Sequence, residues 1–128
     1  MTDQIMMVNL YVRSQAEARS FWLDVMGWKV LREGPLDECR TWLEVAPEGA
    51  QTSLSLLEIS MINEAMPGRS TPAPDLILRC PDAHAEHARL SARGARVEEL
   101  RDDFFGVWFM VYDPDGNGFM VMTPVGAA

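Results

Sequence analysis

Tyr112-Asp113-Pro114-Asp115-Gly116-Asn117-Gly118-Phe119-Met120-Val121-Met122 reads as a tight turn between two apolar strands. Pro114 presets its own φ, the Asp113 side chain can accept hydrogen bonds from the backbone ahead of it, and Gly116 and Gly118 permit positive φ. Upstream, Val107–Tyr112 alternates; downstream, Gly118–Met122 does the same. The chain therefore closes on a hairpin.

Working back from that hairpin, Met66-Pro67-Gly68-Arg69-Ser70-Thr71-Pro72-Ala73-Pro74 cannot continue a helix or a central strand. It divides the chain near its midpoint, and each half reads strand, helix, several strands. In the first half Val8, Leu10 and Val12 face one way and Met7, Asn9 and Tyr11 the other. Ser14 with Glu17 forms a capping-box start, Ala18, Phe21, Trp22, Val25 and Met26 give an apolar helix face, and Gly27 stops the helix. Strands are expected at about 28–32, 40–45 and 53–59. In the second half Leu76, Leu78 and Cys80 alternate with Asp75, Ile77 and Arg79. Asp82 caps a helix running through Ala85, Ala88, Leu90 and Ala92 to Gly94, and strands follow at about 96–100, 107–112 and 118–122. The helix stops stand 67 residues apart and the caps 68 apart. Two tandem βαβββ modules, about 5–60 and 75–124, joined by the 66–74 linker in a single α+β domain, are the economical reading.

The 128 residues suit one domain, and 48% hydrophobic with 23% charged residues is ordinary globular composition. A net charge of −8 argues against nucleic-acid or anionic-lipid partners. It is compatible with a cationic ligand, although simple solubility explains it as well. The start, Met1-Thr2-Asp3-Gln4, lacks the basic and apolar regions of a signal peptide, and no run approaches a membrane span. Cys39 and Cys80, both in strand-like contexts, are expected as reduced core thiols of a cytoplasmic protein.

Two runs carry a resemblance. Val8-Asn9-Leu10-Tyr11-Val12, continued by Ala18-Arg19-Ser20-Phe21-Trp22-Leu23-Asp24-Val25-Met26-Gly27-Trp28-Lys29-Val30, resembles the opening of the vicinal oxygen chelate superfamily. Phe105-Gly106-Val107 before Asp113-Pro114-Asp115-Gly116-Asn117 is similar to its closing signature. That group includes glyoxalase I, bleomycin-resistance proteins, fosfomycin-resistance enzymes and extradiol dioxygenases. The resemblance implies paired βαβββ modules whose curved sheets form a cup, in small members usually as a homodimer. In metal-dependent relatives a ligand stands on the first strand of each module and another near the end of the last strand. Similarity places these on Met7, Asp75 and Met120. A neutral thioether is a poor ligand for Zn, Ni, Mn or Fe, and one carboxylate is too few. Glu58 lies near, but as the terminal residue of its strand it is expected to be exposed. No metal and no cofactor are expected.

Other motifs fall away. His84 and His87 share a helix face without a third ligand and read as solvated residues. Asp113, Asp115, Asn117 and Gly118 match half a calcium loop, but Pro124 occupies the place of the closing Glu. No Ser-His-Asp or Cys-His arrangement and no phosphate-cradling glycine loop is legible. What remains is a set of aromatic and methionine side chains: Met7, Asn9 and Tyr11 on the first strand, Trp42 beside Arg40 and Glu44 on the third, then Trp108, Met110, Tyr112, Met120 and Met122, with Phe104 and Phe105 at the rim. Such side chains suit planar or cationic ligands and irregular shapes. Asp75 has three readings: a desolvated carboxylate able to pair with an ammonium or act as acid/base, an ion pair with Arg79, or an exposed strand start. The leading expectation is a metal-free, homodimeric binding protein of the bleomycin-resistance, antibiotic-resistance type, holding a partly aromatic and, on the charge balance, cationic small molecule in a dimer-interface groove. The alternative is a lyase or dioxygenase-like enzyme with an unplaced metal site or Asp75 as acid/base.

Overall fold

The computed structural model describes residues 1–126 and shows a mixed α+β chain with two mixed sheets. It forms two compact units that part after Pro74, at the end of the Pro/Gly-rich stretch.

The first unit runs β1 (Met7–Val12), α1 (Gln15–Ser20), β2 (Lys29–Pro35), β3 (Thr41–Ala46), β4 (Ser53–Glu58) and α2 (Ile59–Ala65). Its sheet has the order β1-β4-β3-β2, with β1 parallel to β4 and the other pairs antiparallel. Ser14 caps α1 by accepting the Glu17 backbone N–H at 3.2 Å. The helix then widens into one π-helical turn, Phe21–Val25, closed by the Met26 N–H donating to the Phe21 carbonyl at 2.9 Å. Gly27 ends it at φ 81°. Phe21, Trp22 and Met26 are buried as the apolar face requires, whereas Val25 is only half-buried. Trp22 sits at the centre of an aromatic group, its ring 5.3 Å from Phe21 and 4.5 Å from Trp28.

Three expectations change here. Strand β2 runs on to Pro35. Ile59 leaves the strand and opens α2, which has no side-chain cap and buries only Ile62. A helix this short with one apolar contact leaves no periodic signal. Cys39 is not a core thiol. It is exposed in the β2–β3 turn, where Asp37 Oδ1 accepts the backbone N–H groups of Cys39 and Arg40 at 2.9 and 2.8 Å.

The second unit runs β5 (Ile77–Arg79), α3 (Ala83–Ala92), β6 (Arg96–Val97), β7 (Arg101–Asp103), β8 (Gly106–Tyr112) and β9 (Gly118–Pro124). The order is β5-β9-β8-β6, with β7 also on β8; β5 is parallel to β9 and the rest are antiparallel. Of the strand expected at 96–100 only Arg96–Val97 forms, as β6, and β7 follows beyond it. Val97 pairs with Val111 and Arg101 with Trp108, so one extra residue is accommodated between them as a bulge. Asp82 caps α3 as expected, accepting the Ala85 N–H at 3.2 Å. The apolar face of α3 is rotated from its expected position: Ala83 and Leu90 are buried, while Ala85, Ala88 and Ala92 are exposed. Small alanines gain little by burial, so the single leucine sets the orientation. Phe109, Val111, Phe119 and Val121 are at most 2% exposed. At about 1.5–3 kcal/mol each, they anchor this unit more than its helix does. Among the described residues no helix is long and apolar enough to cross a membrane.

Gly106 opens β8 at φ 153°, and a Cβ there would stand 2.4 Å from the Thr123 carbonyl oxygen. The backbone of β9 cannot retreat without breaking its ladder. Gly106→Ala is expected to lower unfolding stability by about 1–3 kcal/mol. Gly34→Ala, where a Cβ meets nothing within 4 Å, is expected to change it little. Urea denaturation of both variants tests the pair.

Candidate functional site

Alternation along each strand leaves one sheet face for the buried apolar residues and one face over. In the first unit the leftover face follows from register. Met7 lies opposite Ser53, Asn9 opposite Ser55 and Tyr11 opposite Leu57. Ser55 is also opposite Glu44, and Glu44 opposite Arg32, so one polar row crosses the whole sheet.

Glu44 is the centre of that row. It is 1% exposed, yet its carboxylate accepts hydrogen bonds from Trp42 Nε1 at 2.6 Å, Ser53 Oγ at 2.8 Å and Arg32 Nε at 3.2 Å. Burial pushes its pKa up, but the bonds from Trp42, Ser53 and Arg32 together with the guanidinium charge outweigh it, and the net shift is down. Ser55 Oγ donates to Asn9 Oδ1. Of the expected lining residues, Met7, Tyr11 and Trp42 are half-buried and Asn9 is exposed. Arg40, expected beside Trp42, instead pairs with Asp37 and Glu64 at 3.3 and 3.0 Å. Glu58, expected to be exposed, is half-buried and accepts the Gln15 N–H at 3.0 Å, so it is occupied by the α1 entry. A crevice beside it, lined by Gln15, Arg40, Thr41, Leu56 and Met61 among others, holds about 100 Å³. Ligand pockets run from about 300 Å³ upward.

The second unit's leftover face has different chemistry. One register row is Ile77, Met120, Met110; the next is Arg79, Met122, Trp108, Arg101; a third is Gly118, Tyr112, Arg96. Trp108, Met110, Tyr112, Met120 and Met122 are all half-buried and share this face. Trp108 Nε1 donates to Asp103 Oδ2 at 2.7 Å, and the Arg101 guanidinium lies 5.5 Å from its ring centre. The Tyr112 hydroxyl donates to Glu98 Oε1 at 2.7 Å, and Arg96 lies 4.2 Å over its ring. That hydrogen bond raises the phenol above its ordinary pKa. Gly118 has no side chain to lift these groups: a Cβ there would stand 2.9 Å from Met110 Cε and 3.0 Å from Tyr112 Cε1. Phe105 stacks on Trp108 at 6.2 Å and 27°, and Phe104 meets Phe105 edge-on at 5.2 Å. Phe104 is 92% exposed at the turn tip.

Asp75 is exposed two residues ahead of β5, and among the described residues it has no ion pair with Arg79. Asp113 is buried and serves its turn, accepting from Asp115 N, Asn117 N and Asn117 Nδ2 at 3.0, 2.8 and 3.0 Å; burial nevertheless pushes its pKa up. His87 is not a solvated residue. It is half-buried, packs edge-on against Phe109 at 5.0 Å, and its Nε2 bonds the Glu98 carbonyl at 2.9 Å. His84 is exposed. Sequence reasoning did not single out Glu44, Ser53, Ser55 and Arg32 as a cluster. The only available signal was two serines at alternate positions of an otherwise leucine-rich strand.

The family model described as Glyoxalase/Bleomycin resistance protein/Dioxygenase superfamily matches residues 4–121. The uncharacterized protein YetH of Bacillus subtilis (strain 168) is 29% identical over 122 residues, 94% of this chain and 98% of its own. Among solved structures, TnmS3, an antibiotic binding protein from Streptomyces sp. CB03234, is 30% identical with a TM-score of 0.81, covering 96% of this chain and 97% of its own. A member of the same superfamily from Sphaerobacter thermophilus DSM 20745 shares the fold at a TM-score of 0.83 and 22% identity, over 95% of this chain and 98% of its own.

The Glu44 network generates a pH dependence with a definite sign. Its folded pKa lies below the ordinary value of 4.5, so its contribution is present above that pH and is lost as pH falls through the lower folded value. Glu44→Gln is expected to cost about 1–3 kcal/mol at neutral pH. The gap to the unaltered chain should narrow under acid, and chemical denaturation at neutral and acidic pH measures it.

Proposed function

The chain belongs to the glyoxalase/bleomycin resistance protein/dioxygenase superfamily, and from that membership we propose that it is a metal-free binding protein sequestering a partly aromatic small molecule. The observation that carries this reading is the second sheet's leftover face. There Met110 pairs with Met120 and Met122 with Trp108, Tyr112 shares the face opposite Gly118, and all five side chains remain partly exposed. Rings held at their polar ends by Asp103 and Glu98 offer fixed flat surfaces, and neighbouring thioethers adapt to an irregular outline. The likeness to an antibiotic binding protein supports sequestration of an antibiotic-like compound.

The metal-free part rests on donor chemistry. Met7 and Met120 stand where the superfamily resemblance puts metal ligands, and a thioether is a soft, neutral donor unsuited to the divalent ions concerned. The same proposal places the ligand in a groove at a homodimer interface and the protein in the cytoplasm. The free state of Cys39 and Cys80 supports the latter.

Two measurements test the proposal. Elemental analysis after dialysis is expected to find only substoichiometric metal; Zn, Mn, Ni or Fe retained at one per chain overturns the metal-free reading. Titration with planar aromatic compounds is expected to change tryptophan fluorescence, with Trp108→Ala weakening affinity by at least about 10-fold. A flat titration with every compound removes the sequestering role.

A further inference from the structure

Charge on the leftover face of the second sheet is unevenly balanced. Along the β6–β7 edge each cation is matched. Arg96 lies over the Tyr112 ring whose hydroxyl donates to Glu98, and Arg101 lies over the Trp108 ring whose indole donates to Asp103. Each aromatic ring thus touches one guanidinium and one carboxylate, and with Glu99 and Asp102 added the edge carries four carboxylates for its two arginines. The β5 edge differs. Arg79 is exposed, has no acidic partner among the described residues, and lies in register beside Met122, which in turn lies beside Trp108. Its strand neighbour on this face is Ile77, 60% exposed.

This chain has 19 acidic residues for 11 basic ones. In such a chain a guanidinium with no carboxylate, set at the rim of a thioether and indole surface, runs against the overall balance. The cross-strand row Arg79, Met122, Trp108 spans two strand spacings, about 9–10 Å. That is the width of a fused two-ring system with one polar substituent. Apolar surroundings strengthen a charge-assisted hydrogen bond, and the guanidinium fork matches planar acidic groups.

We infer that the ligand is an aromatic anion, its ring system lying on Met122 and Trp108 and its acidic group, a carboxylate, sulfonate or acidic phenol, bound by Arg79. The inference rests on the binding role proposed above and names the ligand class for the same face. Arg79 is then the residue that sets charge preference, in the direction opposite to the one suggested by the net charge.

The test uses two fluorescent probes with the same rings, anilinonaphthalenesulfonate and its uncharged counterpart phenylnaphthylamine. The unaltered chain is expected to bind the sulfonate more tightly. Arg79→Gln is expected to weaken the sulfonate by about 5- to 20-fold and to leave the neutral probe unchanged. Arg79 holds no other side chain among the described residues, so its replacement is expected to leave the fold intact, which circular dichroism verifies. Arg69→Gln removes the same charge from an exposed position in the other unit and is expected to alter neither affinity. Equal binding of both probes, or an equal loss in Arg69→Gln, overturns the charge preference while the binding role stands. Binding of neither probe removes both.

Discussion

A β-strand sends successive side chains to opposite faces, and a single helix has width enough to cover only one face of a small sheet. Both units obey this constraint. In the first, Leu10, Val12, Leu43, Val45, Leu54 and Leu56 are buried with Trp22. In the second, Phe109, Val111, Phe119 and Val121 are buried with Leu90. The face left over must then satisfy itself or be satisfied by a visitor. The two units, built alike from a first strand parallel to the last, solve this in opposite ways.

The first unit solves it with hydrogen bonds. A carboxylate as secluded as Glu44 would be costly if unpartnered, since leaving a buried polar group unsatisfied typically costs about 1–3 kcal/mol and more when it is charged. Three side chains donate to it, so it stays ionised and holds the Trp42 ring by its indole N–H. The serines on β4 are small enough to let this happen within a close-packed sheet. The second unit solves it with soft apolar groups. Thioethers and rings cover one another across the strands, and Gly118 lets Tyr112 and Met110 lie low over β9. Such a surface is incompletely buried, and its hydrogen bonds hold only the polar ends of Trp108 and Tyr112, leaving rings and thioethers partly open, which is the physical condition for taking up an organic molecule.

Much of this was legible from residues alone, and the parts that were share a cause. Ser14, Asp82, Gly27 and Gly94 marked the helix limits correctly because caps and positive-φ stops are local events. The alternation of Trp108, Met110 and Tyr112 against Phe109 and Val111 predicted which face is buried, because it depends only on a period of two. The failures have a cause too. Helix α2, the bulge between β6 and β7, the rotated face of α3 and the exposed turn position of Cys39 all depend on partners distant in sequence. His87 was read as solvated because nothing near it in sequence announces Phe109.

Length, alternation, caps and the closing Asp113–Gly118 turn were enough to establish a repeated α+β design. Those are properties of residue types and of short-range geometry, so they can be read in one dimension. Pairing across strands is another matter. That Asn9, Ser55, Glu44 and Arg32 form one polar row, and Arg79, Met122, Trp108 and Arg101 another, depends on register. Register arises from the sum of many long-range contacts, and a slip of one residue would turn each of these side chains to the opposite face.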